Sequence, residues 1–429
     1  MIKIVDDEKE LGIWELYGLR TNPFSTNPLL VKGGVLPIDC FIGRKEELTQ
    51  LSKQFRSSGG SRTLVVGDVG VGKTTFVNVA RYKAISDGKF FTPFSEVGVQ
   101  ETWTAFDFVL NTLYAIYSSL YAESSEKLIS KEAYRKLERV VGMDVMSARG
   151  FGISVMGSGV DLSNERTGPI KLTFTALKDL LNEIIQDINK SSKKEVILHY
   201  NNLERIKENK VRQLFEDLRD TLQTPNAHFV FVGNFVVGGI IQSVQRVASI
   251  FSEVITIKEL TLNEIKEVID LRLKRLGIED LNITKPYEDA ALRLLYELYG
   301  GNIRNILNSL GAAVLQATDQ LPIRLSADEL SIILKTIAER KLKQSGLQPK
   351  ALEILKRILE REEVTNKNLA ELVHTSRSNV SIYIRDLHDA GFVFLKRRKG
   401  KDKYWSADPR LKWMLLEPKN KGQPTLSIF

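Results

Sequence analysis

The run Gly67-Asp68-Val69-Gly70-Val71-Gly72-Lys73-Thr74 constrains this chain more than any other segment. It meets the pattern G-x-x-x-x-G-K-[ST] at every fixed position. It also has the context that the pattern needs. The apolar, strand-like Thr63-Leu64-Val65-Val66 leads in, and the helical pattern Phe76-Val77-Asn78-Val79-Ala80 leads out. Such a loop lets successive backbone N–H groups curl around phosphate oxygens. Lys73 adds a point charge to the β- and γ-phosphates, and the hydroxyl of Thr74, followed by Thr75, is placed to ligate Mg²⁺. The alternative is a purely structural glycine loop, which would not call for a lysine and a hydroxyl at its end. The residues predict a site for ATP and Mg²⁺.

Apolar strand-like runs alternate with helical patterns from about residue 60 to 258, at 62–67, roughly 90–99, 195–200, 228–233 and 253–257. That alternation predicts an α/β domain with a mostly parallel sheet. Residues 1–40, interrupted at Asn22-Pro23 and Asn27-Pro28, read as a leader packed on the domain that follows it. The core itself spans 41–258. Within it, 122–170 breaks the rhythm with a charged helical stretch, Glu126 to Arg139. A glycine-rich stretch follows, in which Phe151, Ile153 and Val155 alternate as in a short hairpin. Helix-period apolar positions at 263–276, 287–299, 303–317 and 326–340 make 259–343 an all-helical lid. Gln344 to Pro349 then reads as a linker into a last domain, 344–429.

A P-loop needs a carboxylate from a neighbouring strand to organise metal and water. The candidate strand, Glu195 to Tyr200, ends in Asn201-Asn202-Leu203-Glu204, so amides stand where acids are expected. An amide can hydrogen-bond a metal-bound water, but it cannot act as a general base. Glu204 is the remaining acidic candidate, and hydrolysis is expected to be weak or slow. The strand His228–Gly233 ends in Asn234, placed to orient water at a γ-phosphate. Arg246 follows, and Gly300-Gly301-Asn302-Ile303-Arg304 opens a lid helix that aims Arg304 back at the phosphates.

With these pieces the chain resembles the AAA+ family, particularly archaeal origin-recognition initiator ATPases and the related STAND-type ATPases, over roughly residues 20–415. The matching motifs are Asn22-Pro23-Phe24, Ile42-Gly43-Arg44-Lys45-Glu46 and the P-loop. The resemblance implies that Ile42 lies near the adenine and that Asn234 and Arg304 act as sensors 1 and 2. It also implies that Arg246 acts in trans as an arginine finger, which requires a homo-oligomer. Asn201 and Asn202 depart from the acidic pattern of that family.

The C-terminal segment carries the chain's charge. Of the net +8, a balance of +7 falls within Gly346–Phe429, which holds 17 Lys and Arg against 10 Asp and Glu. Such asymmetry points to a polyanionic partner. Two helical patterns, 350–361 and 364–373, precede a turn at His374-Thr375 and a third helix from Ser376 to Gly391. Val380, Ile384 and Leu387 face its core, leaving Arg377, Ser378, Asn379, Ser381 and Arg385 outward. Beyond it, Lys396, Arg397, Arg398, Lys399, Lys401 and Lys403 surround Gly400 between two apolar strands. This resembles a winged helix-turn-helix over 349–416, whose third helix enters a major groove of double-stranded DNA while the basic wing neutralises phosphates. Use of such a domain for protein contacts is the alternative. Ser406 to Met414 also resembles the tail of archaeal STAND-like ATPases.

A single cysteine, Cys40, excludes an intrachain disulfide framework, and four scattered histidines show no zinc spacing. No apolar stretch is long enough to span a bilayer and no signal peptide is apparent, so a cytoplasmic protein with no membrane partner is expected. The expected architecture is a P-loop AAA+ core with a helical lid and a winged helix. The expected function is that of an ATP-held, DNA-binding switch. Two other readings are a STAND-type scaffold that oligomerises with ATP and recruits a protein effector in trans, and a DNA-stimulated motor such as a helicase loader or transposition regulator.

Overall fold

The computed structural model describes residues 12–57, 59–122, 128–150, 173–317, 322–361 and 363–415. The glycine-rich hairpin expected at 151–162 lies outside the described residues.

The nucleotide-binding half opens with helix α1 (Lys45–Phe55), strand β1 (Ser61–Val66) and helix α2 (Lys73–Ser86). Two short strands, β2 (Phe90–Phe91) and β3 (Val97–Gly98), stand where one longer strand was expected. Helices α3 (Ala105–Ala122), α4 (Lys131–Gly150) and α5 (Phe174–Ser192) precede β4 (Glu195–Asn201) and α6 (Glu208–Asp217). Then come β5 (Ala227–Gly233), α7 (Phe235–Ser243), α8 (Gln245–Ala248) and β6 (Glu253–Thr256). The sheet is parallel throughout, in the order β2-β4-β5-β1-β6, with β3 on the same edge of β4 as β2.

Side-chain alternation explains how this sheet fills both its faces. Val65, Ile197, Val230 and Val232 point to one face and pack with Leu51, Phe55, Phe76 and Val77 of α1 and α2. Their sequence neighbours Leu64, Val66, Leu198, Tyr200, Phe229 and Phe231 point to the other, against α3 and α5. Tyr200 stacks on Phe108 with ring centroids 4.2 Å apart, and its hydroxyl lies 2.9 Å from Thr112 Oγ1. Burial on both faces is why these strands read as continuous apolar runs.

A buried polar cluster interrupts the apolar packing behind the P-loop helix. Arg81 Nε donates to Thr92 Oγ1 at 2.8 Å, and its Nη1 donates to Asn78 Oδ1 at 2.9 Å. His199 Nδ1 lies 3.1 Å from the same Asn78 oxygen, and its buried Nε2 has no hydrogen-bond partner. Burial, helped by the Arg81 charge, holds His199 well below its ordinary pKa of 6.5. Its neutral form is therefore native, and its contribution to stability is complete above pH 6.5 and lost as the pH falls below it. The unfolding free energy of His199→Gln should consequently fall less steeply between pH 6.5 and 5.5 than that of the parent. The difference is at most ~1.4 kcal/mol per pH unit for one proton, and equal slopes by denaturant titration would refute the assignment.

The lid consists of α9 (Leu262–Leu276), α10 (Asp289–Tyr299), α11 (Ile303–Gln316) and α12 (Ala327–Gln344). Thr261 and Ser326 form capping boxes with Glu264 and Glu329, which fix where α9 and α12 begin. The leader was expected to pack on the nucleotide-binding core, but it is tied chiefly to the lid. Tyr17 Oη donates to the Ile323 carbonyl, and Arg272 Nη1 donates to the carbonyls of Pro23 and Ser25 at 3.1 and 2.8 Å.

The last domain comprises α13 (Pro349–Leu359), β7 (Val364–Thr365), α14 (Asn366–Leu372), α15 (Arg377–Asp389), β8 (Val393–Lys399) and β9 (Asp402–Ala407). Its three-stranded antiparallel sheet runs β7-β9-β8. The expected linker is short, because α12 continues to Gln344, and the winged helix is not a separate body. Leader, lid and winged helix share one continuous hydrophobic core, from Tyr17 through Leu295 to Trp413. Trp413 is buried, and its Nε1 donates to Tyr299 Oη at 2.8 Å across the junction.

Candidate functional site

Parallel register places the functional segments at one edge of the sheet. Val66 pairs with Gly233 and Tyr200 with Phe231, so the P-loop, Asn201 and Asn234 all leave the sheet at its carboxyl edge. The strand ending in Asn201 is not next to the P-loop strand, however, since β5 lies between them. The reach is nonetheless short, because Thr74 Oγ1 donates to Asn201 Oδ1 at 3.2 Å.

The P-loop glycines are required by close approach. A Cβ on Gly67 would stand 2.4 Å from the Ile257 carbonyl oxygen. Gly70 has φ +91°, and a Cβ there would stand 2.5 Å from Asn302 Oδ1. That second contact shows the lid seated on the loop. Asn302 Nδ2 donates to the Val69 carbonyl at 2.7 Å, and the Arg304 backbone N–H donates to the Gly70 carbonyl at 3.2 Å.

Val69 to Thr75, Asn201, Asn202, Glu204, Ile42 and Arg304 line one cavity. Gly67 and Asp68 do not line it, but their carbonyls accept from Lys73 Nζ at 2.9 and 2.8 Å. Burial lowers the pKa of Lys73, and the Glu204 and Asp68 charges oppose that shift. Glu204 therefore acts electrically on the P-loop lysine, and its Oε2 is buried without a hydrogen-bond partner. A carboxylate oxygen in that state, on the wall of a phosphate-binding cavity, is suited to a metal-bound water.

One residue expected at the cavity is placed away from it. Asn234 does not line the cavity, since its Oδ1 accepts from the Val237 N–H at 3.0 Å and caps α7. A helix beginning immediately after β5 needs that cap, and the need claims the side chain. Arg246 is exposed on α8, away from the cavity of its own chain.

Two arginines belong to the site although the sequence reading gave them no role. Arg44, at φ +58° just before α1, donates through Nη2 to the carbonyls of Val71 and, at 3.3 Å, of Lys258. Burial pushes its pKa down to about 10. Its position between Gly43 and the first turn of α1 is the signal that could have marked it. Arg272 of α9 lines the opposite end of the cavity together with Leu29, Cys40, Val268 and Leu307.

The oxygen donors fit Mg²⁺ of the kind that arrives with phosphate. Thr74 Oγ1, Asn201 Oδ1 and Glu204 are hard ligands, but among the described residues no three His, Cys, Asp or Glu form a metal cage. Such a set leaves most of the coordination shell to phosphate and water.

In the winged helix, Arg377, Ser378, Asn379, Ser381 and Arg385 are exposed on α15, while Val380, Ile384 and Leu387 are buried, as expected. Ser376 caps the helix. Ser381 Oγ is already engaged, donating to the Arg377 carbonyl and accepting from Asn366 Nδ2, each at 2.9 Å. Lys401 and Lys403 are exposed at the wing tip, Lys396 is half-buried, and Lys399 ends β8. Arg397 and Arg398 are not free phosphate contacts as expected. Arg397 Nε bonds both Glu363 oxygens, at 3.1 and 2.8 Å, and its guanidinium lies 3.7 Å from the Tyr404 ring centroid. Arg398 Nε pairs with Glu208 Oε1 at 2.9 Å. Carboxylates of the chain itself occupy both arginines.

A parallel sheet with a P-loop at its carboxyl edge, capped by a helical lid and joined to a winged helix, defines a P-loop NTPase carrying a DNA-binding domain. A model of the KAP family P-loop domain matches residues 62–309, and the chain belongs to this family. A winged helix-turn-helix DNA-binding model matches residues 347–393. No curated protein matches the chain. Similar solved structures include the Aeropyrum pernix ORC1 protein in complex with DNA, at 15% identity and a TM-score of 0.45, covering 86% of this chain and 91% of that one. The ADP form of Aeropyrum pernix ORC2 gives 16% identity and a TM-score of 0.46, covering 92% and 95%. The Thermotoga maritima RuvB Holliday junction branch migration motor gives 16% and 0.41, covering 83% and 90%. Among the described residues no helix is long and apolar enough to cross a membrane.

Proposed function

We propose that this protein is an ATP-held switch that binds double-stranded DNA through its winged helix, with nucleotide state setting how the reader is presented. The observation that carries the reading is the shared core of lid and winged helix, with Trp413 buried against Tyr299. Arg304 and Leu307 of the same lid line the nucleotide cavity. A ligand that favours one seating of the lid therefore moves the DNA reader with it, as a population shift requires.

In this reading Lys73 and the loop N–H groups bind the phosphates, and Arg304 and Arg44 add positive charge. Thr74 and Asn201 would hold Mg²⁺, which would supply charge neutralisation on the phosphates. Glu204 orients and deprotonates the attacking water, and with amides at 201 and 202 the turnover is slow. Arg246, exposed and remote from its own cavity, serves a neighbouring copy in a homo-oligomer.

Titration of a labelled duplex with and without ATP tests the switch, and nucleotide-independent affinity and stoichiometry would refute it. In the same assay, replacing Lys401 and Lys403 with Ala should reduce the slope of log affinity against log salt by about 2, roughly one for each phosphate contact. An unaltered slope would remove the wing tip from the interface. The engagement of Arg397 and Arg398 by carboxylates favours a second reading, an ATP-assembled scaffold whose winged helix recruits a protein effector. Absence of any duplex affinity in moderate salt would select it.

A further inference from the structure

The wing does not stand away from the nucleotide-binding core. Strand β8 packs against α7, and Arg398, near the wing tip, reaches Glu208, the first residue of α6. Glu208 lies four residues beyond Glu204, on the segment that leaves the nucleotide cavity. Behind it on the same strand, Arg397 is held by Glu363 across both carboxylate oxygens. A carboxylate offers a guanidinium the same planar acceptor pair that a backbone phosphate does. Arg398 can satisfy Glu208 or a phosphate with that Nε, not both.

Resting on the DNA-binding reading above, we propose that the wing is an intramolecular ligand of the nucleotide-binding core. The acidic start of α6 and the exposed face of α7 form its docking surface and compete with duplex DNA for the wing. The pair is a weak latch by design of its surroundings. Arg398 and Glu208 are 45% and 39% exposed, so solvent screens them, and the strongly charged duplex can displace the contact. Phe235 at the start of α7 is likewise 47% exposed, leaving the packed apolar surface incomplete. Binding of DNA on this account uncovers α7.

The full-length protein provides the test. Glu208→Arg repels Arg398 and should bind a labelled duplex about five-fold more tightly than the parent at fixed salt. Glu216→Arg, an equal charge change at an exposed position near the other end of the same helix, controls for the added positive charge. Affinity of Glu208→Arg no greater than that of Glu216→Arg overturns the proposal. Amide exchange supplies a second readout. Addition of duplex to the parent should speed exchange in residues 235–243, and Glu208→Arg should show the faster exchange without DNA. Tight duplex binding with unchanged exchange in 235–243 overturns the docking while the DNA reading stands. If no variant binds duplex, the DNA reading fails and the competition fails with it. Exchange in 235–243 that is faster in Glu208→Arg alone would then identify the docked wing as a purely structural contact.

Discussion

Lys73→Ala is expected to lower affinity for ATP by at least about 100-fold in equilibrium titration, with the fold retained by circular dichroism. Lys73 is only 7% exposed and is already partly desolvated, as the lowered pKa reflects, so little further dehydration opposes its binding to phosphate. Charge-assisted hydrogen bonds contribute roughly 1.5–3 kcal/mol each, and ~1.4 kcal/mol is ten-fold in affinity. Two such bonds account for the expected loss. The alanine leaves the Gly67 and Asp68 carbonyls without the ammonium that they accept from, while the backbone bonds and glycine conformations that shape the loop remain. Unchanged nucleotide affinity would overturn the P-loop assignment.

If Glu204 is the general base of the proposed reaction, Glu204→Gln should keep ATP binding and lower turnover by about 100-fold or more, the usual scale of a lost general base. The substitution is nearly isosteric and removes only the charge that acts on Lys73 and the buried, unpartnered Oε2. Asn201→Asp works in the opposite sense. It would put a carboxylate in place of the amide that accepts from the Thr74 hydroxyl at 3.2 Å, where it should strengthen Mg²⁺ binding and raise turnover. Single-turnover measurements separate these steps from product release. Equal rates for Glu204→Gln and parent would show that another group, or none, activates the water.

The parallel core was legible because its strands are buried on both faces and punctuated by helices. The lid was legible because its capping boxes and apolar periods agree. The phosphate end of the site was legible for the same reason that P-loops are: local backbone geometry dictates local residue types. What escaped was set by distant pairing. Nothing near Arg398 in sequence announces Glu208, and nothing near Arg397 distinguishes a phosphate contact from a bond to Glu363. Arg272 reaches the cavity from a lid helix and binds main-chain carbonyls of the leader, which carry no sequence signature. Asn234 is a different case. Its position at the end of β5 invites a water-orienting role, but the same position is the N-cap of α7, and the local hydrogen bond to Val237 claims it.

The continuous core across lid and winged helix has an evolutionary consequence. A DNA reader attached by a free tether can be exchanged like a cassette, because cutting the tether exposes nothing. Here a cut near residue 345 would bare Trp413, Leu411 and Ala338 together, so neither fragment inherits a closed interior. A cut between β6 and α9 is no gentler, because it leaves Tyr17, Leu19 and Phe24 of the leader without the lid side chains they pack against. Leader, lid and winged helix are thus expected to be inherited together with the P-loop domain that lies between them in sequence.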